Sequence, residues 1–200
     1  MDKFQTIQGP AEGLYKEKGS KFLAFAYPVS DTETIRQTLE EVKKKYHDAR
    51  HHCHAYILGM QDQAFKANDD GEPNHSAGDP ILGQIRAFGL TNVLVVVVRY
   101  FGGIKLGVGG LVTAYKTAAE DALMQAKTME IYPTESFSLQ FPYELTGEME
   151  SLFNDFQIHF KEKSFTENCQ FSGEIRAIDQ NAFKQRLEKI YGVEFTFVES

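Results

Sequence analysis

The stretch from Val93 to Ala126 constrains the fold of this chain more than any other. Six consecutive valine or leucine residues, 93–98, predict a strand that is buried on both faces. A segment with five glycines follows at residues 99–110. Beyond it, apolar residues recur every three or four positions and predict one face of a helix. These residues are Val108, Val112, Tyr115, Ala119, Ala122 and Ala126.

The glycine-rich segment is a candidate anion site. Glycines allow backbone N–H groups to approach a ligand, and the start of a helix favours negative charge. Two nucleotide-binding motifs fail here, because Val108 stands where a P-loop requires lysine and Val112 stands where the third Rossmann glycine belongs. A phosphate or nucleic-acid backbone remains possible, and close strand–helix packing is the alternative. The candidate residues are Arg99, Tyr100, Gly102, Gly103, Lys105, Gly107, Gly109 and Gly110.

The chain before this unit predicts a hairpin, a helix, a third strand, a long polar loop and a short helix. Gly19-Ser20 marks the turn of the hairpin, and Pro80 suits the first turn of the short helix. A long loop without its own structure is often functional. The five elements cover residues 11–27, 35–46, 52–58, 61–78 and 80–89.

After Lys127 the pattern changes to strand, helix, two strands, helix and strand. This order is the ferredoxin-like arrangement. The sequence therefore predicts an α+β protein with two domains, 1–130 and 131–200. The strands are expected at 136–141, 158–165, 170–177 and 193–198, with helices over 145–153 and 183–190.

Charge separates the two predicted domains. The whole chain carries a formal net charge of −7, but residues 1–130 carry −1 and residues 131–200 carry −6. A polyanion partner such as RNA is therefore expected on the first domain, since phosphate contacts need cations. The acidic second domain suggests contact with a basic protein instead.

Other bulk features concern the compartment. No apolar run is long enough to span a bilayer, so no membrane association is expected. The two cysteines, Cys53 and Cys169, lie far apart, and the residues after Met1 lack signal-peptide character. A reducing, cytoplasmic location is the expectation.

A cluster of histidines and acids invites a metal interpretation. Strand alternation, however, places His52 and His54 on one face and His51 and Cys53 on the other. The acidic stretch 69–72 lacks EF-hand spacing. No metal, cofactor or catalytic residue is therefore assigned. The cluster is retained as a possible lining of the site: His51, His52, His54, Asp69, Asp70, Glu72, His75 and Ser76.

Several motifs together resemble the Impact/YigZ family. They are residues 51–56, 69–73, 76–82 and 99–111. The resemblance covers residues 10–127, and residues 135–198 resemble the small C-terminal domain of bacterial members. Ser76 stands where threonine is common, which keeps the hydroxyl.

The resemblance implies both folds and a setting. The first domain should be like the second domain of ribosomal protein S5 and domain IV of elongation factor G, and the second like domain V of that factor. Eukaryotic members regulate translation initiation under amino-acid stress, and bacterial ones are suggested to bind nucleic acid or ribosomes. The N-terminal partner-binding domain of eukaryotic members is not expected here, and the family supplies no established catalytic residues.

The first hypothesis is a non-catalytic, translation-associated regulator that binds RNA backbone or the ribosome through the glycine-rich edge of the first domain. A metal- or phosphate-dependent enzyme that uses the histidine and aspartate cluster is one alternative. A protein-interaction adaptor that uses the acidic second domain is the other.

Overall fold

A computed structural model describes residues 3–60 and 63–198 of the chain. The chain forms two compact units, Phe4–Ile131 and the part from Tyr132 onward. Both mix helices and strands, so the predicted α+β class with two domains is confirmed. The first unit contains β1 Phe4–Ile7, β2 Ala11–Glu17, β3 Ser20–Pro28, α1 Thr32–Lys45, β4 His51–Leu58, β5 Ala64–Asn68, α2 Gly78–Ala87, β6 Val93–Tyr100, α3 Gly107–Gln125 and β7 Thr128–Ile131.

The first unit is built on a five-stranded sheet of order β2-β3-β6-β4-β5, with every pairing antiparallel. Strand β6 lies at its centre. Val93, Val95 and Val97 pack with α2 and α3 on one face. Leu94, Val96 and Val98 pack with α1 on the other. All six side chains are fully buried, and each contributes roughly 1.5–3 kcal/mol to stability. The aliphatic run is therefore a central strand covered by helices on both faces.

The predicted hairpin is present as β2 and β3, but its turn lies one residue earlier than the expected Gly19-Ser20, because Ser20 already pairs with Glu17 in the sheet. Lys18 and Gly19 form its two-residue turn and have φ angles of 46° and 79°. Two consecutive left-handed residues match a type I′ turn, whose twist suits an antiparallel pair. The turn lies at the same end of the sheet as the end of β6, because Lys21 pairs with Tyr100.

Three local predictions need correction. The loop over residues 61–78 contains a strand, β5, which adds to the exposed edge of the sheet beside β4; Gln61 and Asp62 lie outside the described residues. Val108 was expected on the buried helix face but is 56% exposed, because the first turn of α3 faces a cleft, and Leu111 is buried instead. A small antiparallel pair of β1 with β7 was not predicted.

The second unit contains β8 Thr134–Phe141, α4 Thr146–Asn154, β9 Ile158–Phe165, β10 Cys169–Arg176, α5 Gln180–Leu187 and β11 Glu194–Val198. Its sheet order, β11-β8-β10-β9, and antiparallel pairing give the predicted ferredoxin-like arrangement. One face of the sheet packs on α4 and α5 through a phenylalanine-rich core, with Phe137 and Phe183 among its fully buried residues. No helix among the described residues is long and apolar enough to cross a membrane.

Helix α3 lies directly against β2 in the first unit. A Cβ atom added at Gly13 would lie 2.3 Å from the backbone nitrogen of Ala122. Beside it, the Leu14 N–H donates a 2.8 Å hydrogen bond to Asp121 Oδ2. This close approach fixes α3, and with it the glycine-rich loop that precedes it, relative to the sheet.

We expect Gly13→Ala to destabilise the protein by about 1–3 kcal/mol, because the new methyl group overlaps the α3 backbone. Urea unfolding measures the change. Gly83→Ala is the matched control, since Gly83 lies in α2 with nothing within 4 Å of its added Cβ. The control should gain about 0.5–1 kcal/mol from helix propensity. Equal stability of the two variants would contradict the packing argument.

Candidate functional site

A cleft of about 470 Å³ opens in the first unit where β6 ends and β4 begins. The sheet register places His51 opposite Arg99 at this point. The first turn of α3 and the loop after β5 form the other walls. The lining residues are Arg50, His51, Glu72, Pro73, Arg99, Phe101, Lys105, Leu106, Gly107, Val108 and Leu111.

The floor of the cleft is a buried ion pair. Arg99 Nη1 donates a hydrogen bond of 2.6 Å to Glu72 Oε1, and the side chains of both residues are more than 90% buried. Tyr115 Oη donates to the same carboxylate oxygen at 2.8 Å. The positive charge of Arg99 is therefore already matched inside the protein.

Aromatic rings lie close to the Arg99 guanidinium group. Its carbon lies 5.4 Å from the centroid of the buried Phe22 ring and 5.7 Å from that of Phe101. Such distances are typical of cation–π contacts. Phe101 remains 52% exposed, so one aromatic surface borders the cleft and stays accessible. Arg99 Nε is buried and makes no hydrogen bond within the described part of the chain.

Cys53 and Tyr115 continue the polar network into the core. The Cys53 sulfur lies 2.9 Å from the carbonyl oxygen of Asp69 and 3.3 Å from Tyr115 Oη. Burial raises the pKa of the Cys53 thiol well above its usual value, and burial likewise raises the pKa of the Tyr115 hydroxyl. Both groups are neutral, so Cys53 is not an activated thiolate.

The loop between β5 and α2 carries Glu72 to the cleft, and Asp69 organises it. The Asp69 carboxylate accepts three backbone hydrogen bonds of 2.8–2.9 Å, from His75, Ala77 and Gly78. Burial alone would raise the pKa of Asp69, but these N–H donors outweigh it and lower the pKa. The Ser76 hydroxyl, fully buried, donates to the Pro73 carbonyl at 2.6 Å. Asp69 and Ser76 therefore shape the loop.

Asp70 joins the same loop to the start of β4. Its carboxylate accepts the His52 N–H at 2.6 Å, and its carbonyl oxygen accepts a hydrogen bond from His51 Nδ1 at 2.8 Å. Asp70 and Gly71 have φ angles of 40° and 85°, which produce the sharp turn before Glu72. His51 is the one member of the 51–54 histidine set that lines the cleft.

The other histidines lie elsewhere. His52 and His54 are buried on the face of the sheet opposite to His51, and His52 Nε2 donates to the Tyr46 carbonyl at 3.1 Å. Burial lowers the pKa of His54, which favours the neutral ring. His75 is exposed and contacts Asp79 at 2.7 Å. Among the described residues no three His, Cys, Asp or Glu side chains converge so that they could hold a metal ion.

The five glycines of residues 99–110 differ in why glycine is needed there. A Cβ at Gly102 would lie 1.9 Å from the Gly19 carbonyl carbon, so the hairpin turn leaves no room for a side chain. Gly103 and Gly107 have φ angles of 89° and 72°, which other residues rarely adopt. A Cβ at Gly110 would meet Leu106 at 2.9 Å. Among the five glycines of residues 99–110, only Gly109, in the first turn of α3, has neither a positive φ nor, apart from its chain neighbours and its own helix backbone, any atom within 4 Å of an added Cβ.

Two exposed cations line the cleft together with the first turn of α3. Leu106 precedes the helix and supplies no side-chain cap, and the first turn contains no acid. Lys105 and Arg50 are exposed, border the cleft and make no ion pair within the described residues. Tyr100 points away from the cleft, where its hydroxyl donates to Asp48 at 2.7 Å; this bond raises the pKa of Tyr100 to about 12.

The structure thus brings together five of the residues singled out from the sequence: His51, Glu72, Arg99, Lys105 and Gly107. Sequence reasoning missed Arg50, Pro73, Leu106, Val108 and Leu111 as lining residues. Arg50 carried a signal because it directly precedes the predicted third strand. That strand, β4, runs antiparallel to β6, so its start lies at the end of the sheet where β6 ends. The apolar lining residues carried no such signal, because an apolar residue that lines a cleft looks the same in the sequence as one that belongs to the core.

Comparison with known proteins gives a consistent result. The Impact N-terminal domain family model matches residues 18–123. IMPACT family member YvyE of Bacillus subtilis is 34% identical over 195 residues, which cover 95% of this chain and 88% of that one. The chain belongs to the IMPACT family. Another member, YigZ of Escherichia coli, is 37% identical over 150 residues, 74% of each chain.

A solved structure supports the same conclusion for the fold. The crystal structure of a hypothetical protein is 28% identical and superposes with a TM-score of 0.75, and the match covers 100% of this chain and 99% of the other. Family membership and the two-unit fold thus have independent support. The family residues quoted above, from 69–73 and 99–111, supply most of the cleft.

We expect Glu72→Gln to destabilise the protein by about 3–5 kcal/mol, because it leaves the Arg99 charge buried without a counter-charge. Chemical denaturation measures the loss. The double variant Glu72→Gln/Arg99→Gln removes both charges and should be more stable than the single variant. A single variant within about 0.5 kcal/mol of wild type would contradict a buried, charged pair.

Proposed function

We propose that this chain is a non-catalytic, translation-associated regulator whose first unit binds the backbone of RNA at the cleft. The observation that carries the proposal is that two exposed cations, Lys105 and Arg50, line the same cleft as the uncapped start of α3 and make no ion pair among the residues that the structure describes. Membership of the IMPACT family agrees with the association with translation that the resemblance implies.

The phosphate groups of RNA suit this arrangement. The first N–H groups of a helix have no partner within the helix, and the helix dipole favours an anion there. A phosphate at the start of α3 would accept hydrogen bonds from these N–H groups, and Lys105 would neutralise its charge. Arg50, on the far side of the cleft, would reach a neighbouring phosphate of the same strand.

The exposed ring of Phe101 suits the bases. Stacking of a base on an aromatic side chain contributes roughly 1–3 kcal/mol and tolerates any sequence. The apolar wall formed by Leu106, Val108 and Pro73 offers a surface for one unpaired base. The Arg99 guanidinium group, which also contacts the buried Phe22 ring, lies against the Phe101 ring, so the stacking surface is supported before RNA arrives.

The groups around the cleft favour binding over covalent catalysis. The Cys53 thiol and Tyr115 hydroxyl are neutral and buried, and the Ser76 hydroxyl is committed to the Pro73 carbonyl. Glu72 is held by Arg99 and Tyr115. None of these groups is an exposed, activated nucleophile.

A second candidate function rests on the second unit. The sheet face away from α4 and α5 carries a shallow depression of about 410 Å³ with Glu162 and Glu194 on it. Neither glutamate makes an ion pair among the described residues. This acidic, polar face suits a basic protein partner, so the second unit would act as an adaptor beside an RNA-binding first unit.

We expect Lys105→Gln and Arg50→Gln each to weaken RNA binding several-fold. Each should also lower the slope of log affinity against log salt by about 0.7, which corresponds to one lost phosphate contact on a single strand. Fluorescence anisotropy with an unstructured RNA oligonucleotide measures both quantities. Lys116→Gln is the matched control, since Lys116 is exposed further along α3 and does not line the cleft. Absent or salt-independent binding by wild type would overturn the proposal.

Gly109→Ala tests how closely RNA approaches the start of α3. Apart from its chain neighbours and its own helix backbone, the methyl group meets no protein atom within 4 Å, so the variant should gain about 0.5–1 kcal/mol in stability. RNA affinity should nevertheless fall, because the methyl group covers the N–H groups that the phosphate needs. Gly83→Ala should give the same gain and leave RNA binding unchanged. Unchanged affinity in Gly109→Ala would exclude this part of the site.

A further inference from the structure

We propose that His51 accepts a hydrogen bond from the ribose 2′-hydroxyl group of bound RNA, so that the cleft prefers RNA to DNA. The inference rests on the proposed function, because it concerns the same strand in the same cleft. It extends that function by assigning a role to a residue that phosphate contacts leave unused. His51 is half-buried and lines the cleft at the start of β4.

The hydrogen bond of His51 inside the protein shows which ring nitrogen accepts. His51 Nδ1 lies 2.8 Å from the carbonyl oxygen of Asp70. A carbonyl oxygen can only accept, so Nδ1 carries the ring hydrogen. In the neutral ring the other nitrogen, Nε2, therefore has a free lone pair.

The loop before α2 also holds the His51 ring in place. A Cβ atom added at Gly71 would lie 3.6 Å from both Cε1 and Nδ1 of the ring, so the ring packs directly beside this turn of the loop. The Asp70 carboxylate accepts the N–H of His52, the next residue of β4, at 2.6 Å. The orientation of the ring is thus set before a ligand binds.

His51 Nε2 is open to a ligand. It has no hydrogen-bond partner within the part of the chain that the structure describes, and it is not one of the buried unpaired atoms there. Since the residue lines the cleft, its unpaired nitrogen offers an uncharged acceptor at the cleft wall.

The groups proposed to bind phosphate are all donors. Lys105, Arg50 and the first N–H groups of α3 suit the oxygens of a phosphate, which accept hydrogen bonds. Glu72, the acid of the cleft, already accepts from Arg99 and Tyr115 through Oε1. His51 Nε2 requires the opposite kind of partner, one that donates a hydrogen.

The RNA backbone offers one such donor at every nucleotide. Its phosphate, ester and ring oxygens carry no hydrogen, whereas the 2′-hydroxyl group does, and this group is what distinguishes RNA from DNA. Arg50 directly precedes His51 in the chain, and both residues line the cleft. A phosphate bound by Arg50 would therefore bring its own ribose close to His51 Nε2.

The test replaces only the 2′-hydroxyl group. Fluorine at this position cannot donate a hydrogen bond but preserves the sugar conformation of RNA. We expect wild type to bind 2′-fluoro oligouridine about 5-fold more weakly than oligouridine RNA, since one net hydrogen bond is lost. Fluorescence anisotropy at a single salt concentration measures both affinities.

The variant His51→Asn tests the residue. The asparagine amide can still donate to the Asp70 carbonyl, but its side chain ends short of the position of Nε2. The variant should bind RNA about 5-fold more weakly than wild type and bind the 2′-fluoro oligonucleotide equally well.

Two controls separate sugar recognition from general binding. Lys105→Gln should weaken the binding of both oligonucleotides by the same factor and leave their ratio unchanged, because Lys105 contacts phosphate in the proposed complex. His47→Asn is the matched histidine control, since His47 is exposed beyond α1 and does not line the cleft. It should leave both affinities unchanged.

The outcomes distinguish this inference from the proposed function. Equal binding of the two oligonucleotides by wild type would overturn the role of His51 and leave RNA binding at the cleft intact. A preference for the 2′-hydroxyl group that persists in His51→Asn would also overturn it, because another residue would then recognise the sugar. Absent binding of either oligonucleotide by wild type would overturn both proposals.

Discussion

The ion pair between Arg99 and Glu72 joins the two parts of the chain on which the site depends. Arg99 is the last buried residue of the central strand, and Glu72 is held in a loop that would otherwise extend into solvent. A charge in this position is stable only with a partner, because burial of an unpaired ion costs several kcal/mol. The pair therefore fixes the loop of residues 69–78 against the end of β6 and closes the floor of the cleft.

The residues of the glycine-rich segment 99–110 differ in what they contribute to the structure. Gly102 allows contact with the hairpin, Gly103 and Gly107 allow the turns, and Arg99 lies beneath them in the core. With those positions committed to structure, the groups left for a ligand are the exposed ones, Lys105 and the N–H groups near Gly109. Packing and anion binding are alternatives from the sequence; the structure shows the packing role, and the anion binding that we propose would use other residues of the same segment.

Much of the fold follows from the sequence because its signals are local. The aliphatic run, the hairpin turn and the helical periodicities all depend on neighbours in the chain, and the structure contains each of them. Strand alternation alone separates His51 from His52 and His54, as the structure confirms. Strand β5 was missed because its side chains are mostly exposed and it depends on pairing with β4, which no local pattern records.

The site was less predictable, because a sequence does not show which charges are already paired. Arg99 and Lys105 look alike as cations in one motif, yet one is buried against Glu72 and the other is exposed. The pairing partner is 27 residues away in the chain, and only the fold brings it close. Asp69 and Ser76 likewise resemble site residues, but their side chains make hydrogen bonds within the loop and the start of α2.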